Sequence, residues 1–270
     1  MIDGNCKWEQ FKARAAELSE RAKGSTLLFR GQGSANWDLQ TTLERSGHDE
    51  TVDYYYQLIL RIKAEVQTYT SQSWDDTPDL EELRHKLRGG YDPFSRLMSF
   101  GGFPHYAYMA YLRHHGFPSP LLDWSASPFV AAYFAFRESR DEDVAIFAFR
   151  ERDPSGMKVG GDDEPTITQL GPFVLGPKRH FAQQSQYTVC TAWEPKRPYF
   201  SNHSNVCRPH DETAEYQQDV VFKFVLPSSE RDKVLKELQM YNLNAYSLFG
   251  SEESLMESLS IREELRFAYL

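Results

Sequence analysis

An arginine beside two glycines is the first set of residues in this sequence that could do chemistry. Residues 27–33 read LLFRGQG, and the three apolar residues before Arg30 predict a buried strand. A guanidinium is a planar fork that matches phosphate or carboxylate, and glycine lets a ligand approach the backbone. The stretch predicts an anion site in which Arg30 ends the strand and Gly31 and Gly33 form a turn. The structural alternative is an arginine paired with a carboxylate at the edge of the core.

A second set lies in residues 113–129, RHHGFPSPLLDWSASPF. Asp123 stands between two leucines and a tryptophan, where a carboxylate must be paired or hydrogen-bonded. It could hold Arg30 in place or accept backbone N–H groups at a helix start, and we favour such a structural role. Ser125 follows in a loop. His114 is close to a helix C-terminus, where the dipole favours a protonated imidazole, although a structural histidine is the preferred interpretation.

A third set consists of metal-ligating residue types with the spacing C-x12-H-x3-C-x2-H, formed by Cys190, His203, Cys207 and His210. Zinc accepts such ligands, but closed zinc sites bring their ligands in tight pairs. Cys190 lies in a predicted strand and has no close partner. We therefore predict no metal site, and we interpret the acidic run at 161–165 as a solvated loop.

Composition limits the classes of function. The chain has 270 residues and a formal net charge of −9, which argues against non-specific nucleic-acid binding and leaves room for a local basic pocket. Three cysteines give no disulfide framework and indicate a reducing compartment. The first residues lack the apolar segment of a secretory signal, and no run approaches a membrane span. We expect a cytoplasmic protein with no membrane partner.

Helices and strands must position these residues, and their pattern predicts one α+β domain over 1–270, with a helix-rich N-terminal half packed on a mainly antiparallel sheet. Periodicity predicts helices at 8–22, 52–69, 78–88, 104–115, 128–136, 230–240 and from 251 onward. Capping residues mark several starts, namely Thr77, Ser127 and a capping box of Ser229 with Asp232. Strands are predicted at 26–30, 144–149, 186–193 and 219–226. The polar segments 151–180 and 192–218 are predicted as long surface loops.

Five segments in order resemble the FRG-domain family of prokaryotic and phage proteins. They are FRGQ at 29–32, RHHG at 113–116, LLDW at 121–124 with a helix ending YFA, KRHFAQQSQYT at 178–188 and YSLFGSEESL at 246–255. The resemblance covers 26–255 and follows an N-terminal helix within 1–24. The family usually has Gln where Arg113 stands, and Thr-Arg where this chain has Ser119-Pro120. Either Arg113 or Arg179 compensates for the missing cation, the ligand differs, or the site is degenerate.

The family arrangement is similar to that of arginine–serine–glutamate ADP-ribosyltransferases, and this similarity implies NAD as the cofactor. It implies that Arg30 holds the pyrophosphate, that Ser125 positions the nicotinamide ribose, and that Tyr133 or Tyr187 stacks on the nicotinamide. The catalytic glutamate is missing from the pattern, because no Glu-x-Glu strand follows position 150. Gln183 could bond a ribose, although an amide cannot stabilise positive charge as a carboxylate does. Glu194, Glu212 and Glu215 stand in predicted loops.

Our prediction is therefore a cleft that binds an anionic nucleotide, most simply NAD, and transfers ADP-ribose to a protein or nucleic-acid acceptor in a toxin or phage-defence setting. The expected lining is Arg30, Gly31, Gln32, His114, Asp123, Ser125, Tyr133, Arg179, Gln183 and Tyr187. One alternative is a non-catalytic module that binds a nucleotide, a nucleic-acid end or a partner protein. A hydrolase that uses Asp123 and His114 ranks last. The prediction requires an Arg30 guanidinium that faces a cavity with no acidic partner.

Overall fold

The computed structural model of the chain describes residues 4–22, 25–48, 50–74, 105–139, 141–153, 158, 164–171, 176–194, 197–211, 213 and 217–267. The helix predicted after Thr77 lies outside these residues. So do Glu212 and Glu215, two of the three glutamates considered for the missing catalytic role.

Six of the nine helices in the described residues lie where the periodicity predicts them, and the short helices at 42–46, 178–182 and 245–249 are not predicted by it. The helices of the described residues are α1 (Trp8–Arg21), α2 (Thr42–Ser46), α3 (Val52–Thr70), α4 (Tyr106–His114), α5 (Pro128–Phe136), α6 (Lys178–Ala182), α7 (Arg231–Met240), α8 (Ala245–Phe249) and α9 (Glu252–Phe267). Helix α5 begins as predicted, because the Ser127 hydroxyl accepts a hydrogen bond from the Val130 N–H and proline fills the first position. The capping box predicted from Ser229 and Asp232 is wrong, because a 3-10 turn over Ser228–Glu230 leads directly into α7.

Nine strands of the described residues form one mainly antiparallel sheet, which confirms the α+β class. The strands are β1 (Gly4–Asn5), β2 (Leu27–Gln32), β3 (Leu122–Ser125), β4 (Val144–Arg152), β5 (Thr166–Gln169), β6 (Ser185–Glu194), β7 (Arg197–Phe200), β8 (Arg208–Pro209) and β9 (Gln218–Leu226). Their order is β1-β9-β4-β2-β3-β6-β5, with β7 beside β6 and β8 beside β9. Only the pairings of β1 and β8 with β9 are parallel within the described residues.

Two sequence predictions about strands need correction. Arg30 does not end a strand, because β2 continues to Gln32 and Arg30 pairs with Phe147 of β4. The segments predicted as long loops contain α6 and the strands β5, β7 and β8. These strands are short, and they form because β6 and β9 offer backbone groups that need partners.

Strand β2 lies inside the sheet, and helices cover one of its faces. Leu27 and Phe29 belong to a buried cluster that includes α1, α5 and α7 to α9, whereas Leu28 packs with Trp124 and Phe149 in another cluster. This alternation is the period of a strand that is buried on both faces. Helix α5 crosses directly over β2, so the sequence around Arg30 is fixed by strand pairing and by helix packing. No helix within the described residues has the length and apolar character needed to cross a bilayer.

Candidate functional site

A cavity of about 1130 Å³ opens beside the middle of β2. Its wall combines β2 and β3, the loop after β2, the C-terminal ends of α4 and α5, and part of α6 and β6. The predicted site residues on this wall are Arg30, Gly31, Gln32, His114, Asp123, Ser125, Arg179, Gln183 and Tyr187. The structure therefore brings together nine of the ten residues that the sequence proposed.

Arg30 has an acidic partner, contrary to the requirement that its charge be uncancelled. Its Nη1 atom donates to the Asp123 Oδ1 atom at 2.5 Å and to the Asp123 carbonyl oxygen at 2.8 Å. Arg113 Nη2 donates to the same Oδ1 atom at 2.6 Å. Burial alone would raise the pKa of Asp123, but Arg113 and Arg30 outweigh it and hold that pKa well below its usual range. One carboxylate therefore serves two arginines, and the pair keeps a net positive charge.

Two further arginines extend this positive charge. Partial burial lowers the pKa of Arg45, and the charges of Arg30 and Arg113 lower it further, and all three residues line the cavity. Arg179 makes no ion pair with any described residue, and its Nη2 atom is buried with no hydrogen-bond partner. Burial also lowers the pKa of Arg179. We call Arg30, Arg45, Arg113 and Arg179 the arginine cluster. All four residues line the cavity, and Asp123 is the carboxylate that pairs with Arg30 and Arg113.

Burial of His114 outweighs the helix dipole, which by itself favours a protonated imidazole. Burial, helped by the charge of Arg179, lowers the pKa of His114 to about 3. The His114 Nε2 atom and the Tyr187 hydroxyl form a hydrogen bond of 2.6 Å. The ring of His180 stacks on Tyr187 with an interplanar angle of 20°. Burial raises the pKa of Tyr187, so its hydroxyl stays protonated at neutral pH. These contacts hold the phenol ring in the wall of the cavity.

Ser125 and Gln183 are joined to each other and to the scaffold. The Ser125 hydroxyl donates to the Gln183 carbonyl oxygen at 2.8 Å and accepts from the Ser127 N–H at 3.0 Å. The Gln183 side-chain amide donates to the Leu248 carbonyl oxygen at 3.1 Å. The hydroxyl that the resemblance assigns to ribose positioning is therefore engaged in tying β3 to the end of α6.

Gly31 and Gln32 have roles that the sequence did not suggest. A Cβ atom on Gly31 would lie 1.8 Å from the Ala131 carbonyl oxygen, so this glycine admits helix α5 rather than a ligand. Gln32 is 5% exposed, and its Nε2 atom donates to the Asp38 carbonyl oxygen at 3.1 Å. The Oε1 atom of the same amide is buried with no partner. Gln32 therefore lines the cavity with its side-chain nitrogen bonded to Asp38 and its side-chain oxygen unpartnered.

Tyr133 is the predicted site residue that does not line the cavity. It packs in the buried cluster around α5, and its hydroxyl donates to Glu257 Oε1 at 3.1 Å. Of the two aromatic residues proposed to stack on a ligand, Tyr187 is the one in the cavity wall.

Sequence reasoning missed several cavity residues. Trp37 is largely exposed in the loop after β2, and Phe134 and Phe249 are also in the wall. Four carboxylates line the cavity as well, namely Asp38, Glu138, Asp141 and Glu142, and no ion pair among the described residues joins them to the arginine cluster. The pattern FRESRDEDV at 136–144 could have indicated Glu138, Asp141 and Glu142, but such a charge run is usually a solvated surface.

The two histidines with zinc-like spacing have separate hydrogen-bond partners, and the four residues of that pattern do not form one site. His203 Nε2 is hydrogen-bonded to the Thr188 hydroxyl at 2.9 Å, and His210 Nδ1 to Gln217 Oε1 at 3.1 Å. Cys190 is buried in β6. Across the part of the chain that the structure describes, no three residues of the types His, Cys, Asp and Glu group as a metal would require.

A family model described as the FRG domain matches residues 25–144. An FRG domain is present in this chain. The matched segment contains FRGQ, RHHG and LLDW, whereas the resemblances proposed at 178–188 and 246–255 lie beyond it. Searches of curated proteins and of solved structures returned no match. The similarity to ADP-ribosyltransferases therefore stays a hypothesis.

The FRG domain and the residues after it both contribute to the cavity. The FRG domain supplies three members of the arginine cluster together with Asp123. Arg179, Gln183 and Tyr187 come from α6, its C-terminal end and β6, which follow the matched segment. Two members of the arginine cluster form no ion pair with a described carboxylate, namely Arg45 within the FRG domain and Arg179 after it.

Proposed function

We propose that the cavity binds a phosphate-bearing ligand of nucleotide size, with NAD as the expected ligand. The observation that carries this proposal is an arginine cluster of four guanidinium groups in the cavity wall, of which Arg30 and Arg113 share the carboxylate of Asp123. Arginine matches phosphate geometry better than any other side chain. The cavity of about 1130 Å³ is slightly larger than the roughly 300–1,000 Å³ of typical ligand sites, so it has room for a dinucleotide.

ADP-ribosyl transfer to a macromolecule is the reaction that we propose for this site. Breaking the bond between nicotinamide and ribose builds positive charge on the ribose, which a nearby carboxylate stabilises. The cavity wall offers carboxylates, including Glu138, in addition to the arginine cluster and the ring of Tyr187. The toxin or phage-defence setting follows from the family resemblance alone and belongs to this proposal.

A non-catalytic binding module is the second candidate, and one observation favours it. The resemblance gives catalytic roles to Ser125 and Gln183. The Ser125 hydroxyl and the Gln183 side-chain amide are already hydrogen-bonded to backbone groups. A site that only binds a nucleotide needs the arginine cluster and no further free side chain.

The experiment that separates the two candidates combines NAD binding with NAD turnover. Purified chain is titrated with NAD by calorimetry, and release of nicotinamide is followed with and without a cell lysate as the source of acceptors. Saturable binding with nicotinamide release supports the transferase, and binding without release supports the module. Failure to bind NAD, ADP or inorganic diphosphate would overturn the proposed function.

Arg30→Ala tests whether the arginine cluster carries the binding, and Arg150→Ala is its matched control. The side chains of Arg30 and Arg150 are each 12% exposed, and each forms an ion pair with an aspartate. Arg150 belongs to the neighbouring strand β4 and does not line the cavity. We expect Arg30→Ala to weaken NAD binding by roughly tenfold to a hundredfold and Arg150→Ala to leave it unchanged. Equal losses would show an effect on folding.

A further inference from the structure

The two carboxylate oxygens of Asp123 have different surroundings. Oδ1 accepts hydrogen bonds from both Arg30 and Arg113. Oδ2 accepts no hydrogen bond from any described residue. The Asp123 side chain is 43% exposed and lines the cavity. The arginines therefore fix the carboxyl group by one oxygen and leave the other open to a ligand.

A ligand of this anion site must bring a hydrogen-bond donor to the unpaired carboxylate oxygen. The paired arginines keep Asp123 ionised, so Oδ2 can only accept hydrogen bonds. A bare phosphate or diphosphate would bind the arginine cluster but would meet a like charge at Oδ2. A ligand that brings a hydrogen-bond donor to this oxygen avoids that cost, because a charged acceptor that loses water without a replacement is destabilising.

Gln32 is a second residue of the cavity wall with an unpartnered side-chain oxygen. Its side chain is 5% exposed, its Nε2 atom donates to Asp38, and its buried Oε1 atom accepts nothing. Gln32 and Asp123 thus place two free acceptors in the wall that also carries the arginine cluster. The Gln32 oxygen is buried, whereas the Asp123 side chain is 43% exposed, so Asp123 Oδ2 is the acceptor that a bound molecule can reach.

The donor is a hydroxyl rather than an ammonium group. An ammonium group at Oδ2 would stand beside the guanidinium groups of Arg30 and Arg113, which repel it. A neutral hydroxyl meets no such repulsion. We infer that the cavity takes a ribonucleotide whose sugar hydroxyls donate to Asp123 Oδ2 while its phosphates contact the arginine cluster. This inference rests on the proposed function and narrows its ligand to a phosphate ester with free sugar hydroxyls.

The test compares three probes on the full chain by calorimetry: inorganic diphosphate, ADP and 2′,3′-dideoxy-ADP. We expect the dideoxy nucleotide to bind roughly tenfold to a hundredfold more weakly than ADP, which is the loss expected when a charged acceptor goes unpaired. Equal affinities for the two nucleotides would overturn the inference and leave the proposed function standing. Absence of binding by ADP and by diphosphate would overturn both.

Asp123→Asn gives a second test, because it should strengthen diphosphate binding and remove the preference for ADP over its dideoxy analogue. The amide oxygen can still accept from the arginines, while the second position becomes an N–H donor with no charge. We expect this variant to bind diphosphate roughly tenfold more tightly and to bind ADP and its dideoxy analogue with about equal affinity. Asp38→Asn, which removes another carboxylate of the cavity, is expected to keep the preference for ADP.

Folding of the variant is checked by its thermal midpoint. If Asp123→Asn folds poorly, the ratio of ADP to dideoxy-ADP affinity in the natural chain decides the inference by itself. If Asp123→Asn folds and still prefers ADP by the natural ratio, another group accepts the hydroxyls and the assignment to Asp123 is wrong.

Discussion

At the scale of single residues, Arg179 is the side chain whose state is hardest to explain without a ligand. Its Nη2 atom is buried and has no hydrogen-bond partner, and no described carboxylate pairs with it. Leaving such a donor unsatisfied costs about 1–3 kcal/mol. A bound phosphate would remove that cost, so the residue is better suited to the complex than to the free chain.

Arg179→Gln should therefore separate binding from stability. We expect the variant to bind ADP roughly tenfold to a hundredfold more weakly, because charge-assisted hydrogen bonds to phosphate are lost. Its thermal midpoint should stay the same or rise, since a partly buried unpaired cation is removed. Lys178→Gln on the same helix is the control, because Lys178 is exposed and does not line the cavity. A fall in the midpoint without a fall in affinity would assign Arg179 to the scaffold.

His203 gives a prediction about pH. Burial, with a further contribution from Arg30, lowers the pKa of His203 to about 3. In the unfolded chain its pKa returns to the ordinary value of about 6.5. Below that pH the unfolded chain binds more protons, so the contribution to stability is complete above about 6.5 and is lost as the pH falls toward 3.

Urea unfolding at two pH values measures this contribution. We expect roughly 1 kcal/mol of stability to be lost through His203 between pH 7.5 and 5.5. His203→Gln should shrink the difference between the two pH values by that amount, and His48→Gln, which changes an exposed side chain, should not. An unchanged difference in His203→Gln would mean that the imidazole is protonated in the folded chain.

How much of the site the sequence predicts depends on how local the deciding contacts are. The anion-site prediction for Arg30 needs only the residues beside it, and the structure places Arg30 in the cavity wall. The partner of Arg30 lies 93 residues away in the sequence. The sequence pattern could therefore name Asp123 as a possible partner of Arg30 but could not decide whether the two residues pair. The local helix dipole favours a protonated His114, but burial by residues distant in the sequence outweighs it and lowers the pKa of that side chain.

At the scale of elements, the crossing of α5 over β2 decides the shape of the cavity. Gly31 belongs to β2, and its missing side chain admits the Ala131 carbonyl oxygen. Ala131 and Phe134 of α5 line the cavity together with Arg30 and Gln32 of β2. A helix forced away from the strand would therefore move two walls of the site at once.

Gly31→Ala tests this crossing, and Gly33→Ala is the matched control. A Cβ atom on Gly33 would meet its nearest neighbour at 3.9 Å, which is ordinary contact. We expect Gly31→Ala to lower the free energy of unfolding by at least about 1–3 kcal/mol, the usual cost of overpacking. Gly33→Ala should change it by less than about 0.5 kcal/mol. Equal effects of the two substitutions in urea unfolding would rule out tight packing as the reason for Gly31.

Long periodic elements are predictable from this sequence, and short edge strands are not. Helix α3 and strand β9 have enough apolar positions to reveal their period. Strand β7 (Arg197–Phe200) contains a proline and only four residues, and its pairing partner β6 fixes it in place. Its local composition is typical of a loop, so only tertiary pairing makes it a strand.

At the scale of the whole molecule, the charge of the chain and the charge of the arginine cluster have opposite signs, while the cavity wall as a whole holds five arginines and five carboxylates. The formal net charge is −9, whereas the arginine cluster contributes four positive charges against one aspartate. The long-range field therefore repels polyanions, and the short-range contacts attract a phosphate that enters the cavity. This contrast favours a small nucleotide over an extended nucleic acid as the ligand.

Salt dependence tests that contrast. We expect ADP affinity to fall by less than about tenfold between 50 and 200 mM salt, because charges inside a cavity are screened weakly. A protein that neutralises many phosphates along a duplex loses about 10³–10⁵ in affinity over the same range. We also expect no change in anisotropy when a labelled duplex is mixed with the chain at 150 mM salt. Tight duplex binding that disappears with salt would instead favour the nucleic-acid-binding module, because only an extended basic surface produces that dependence.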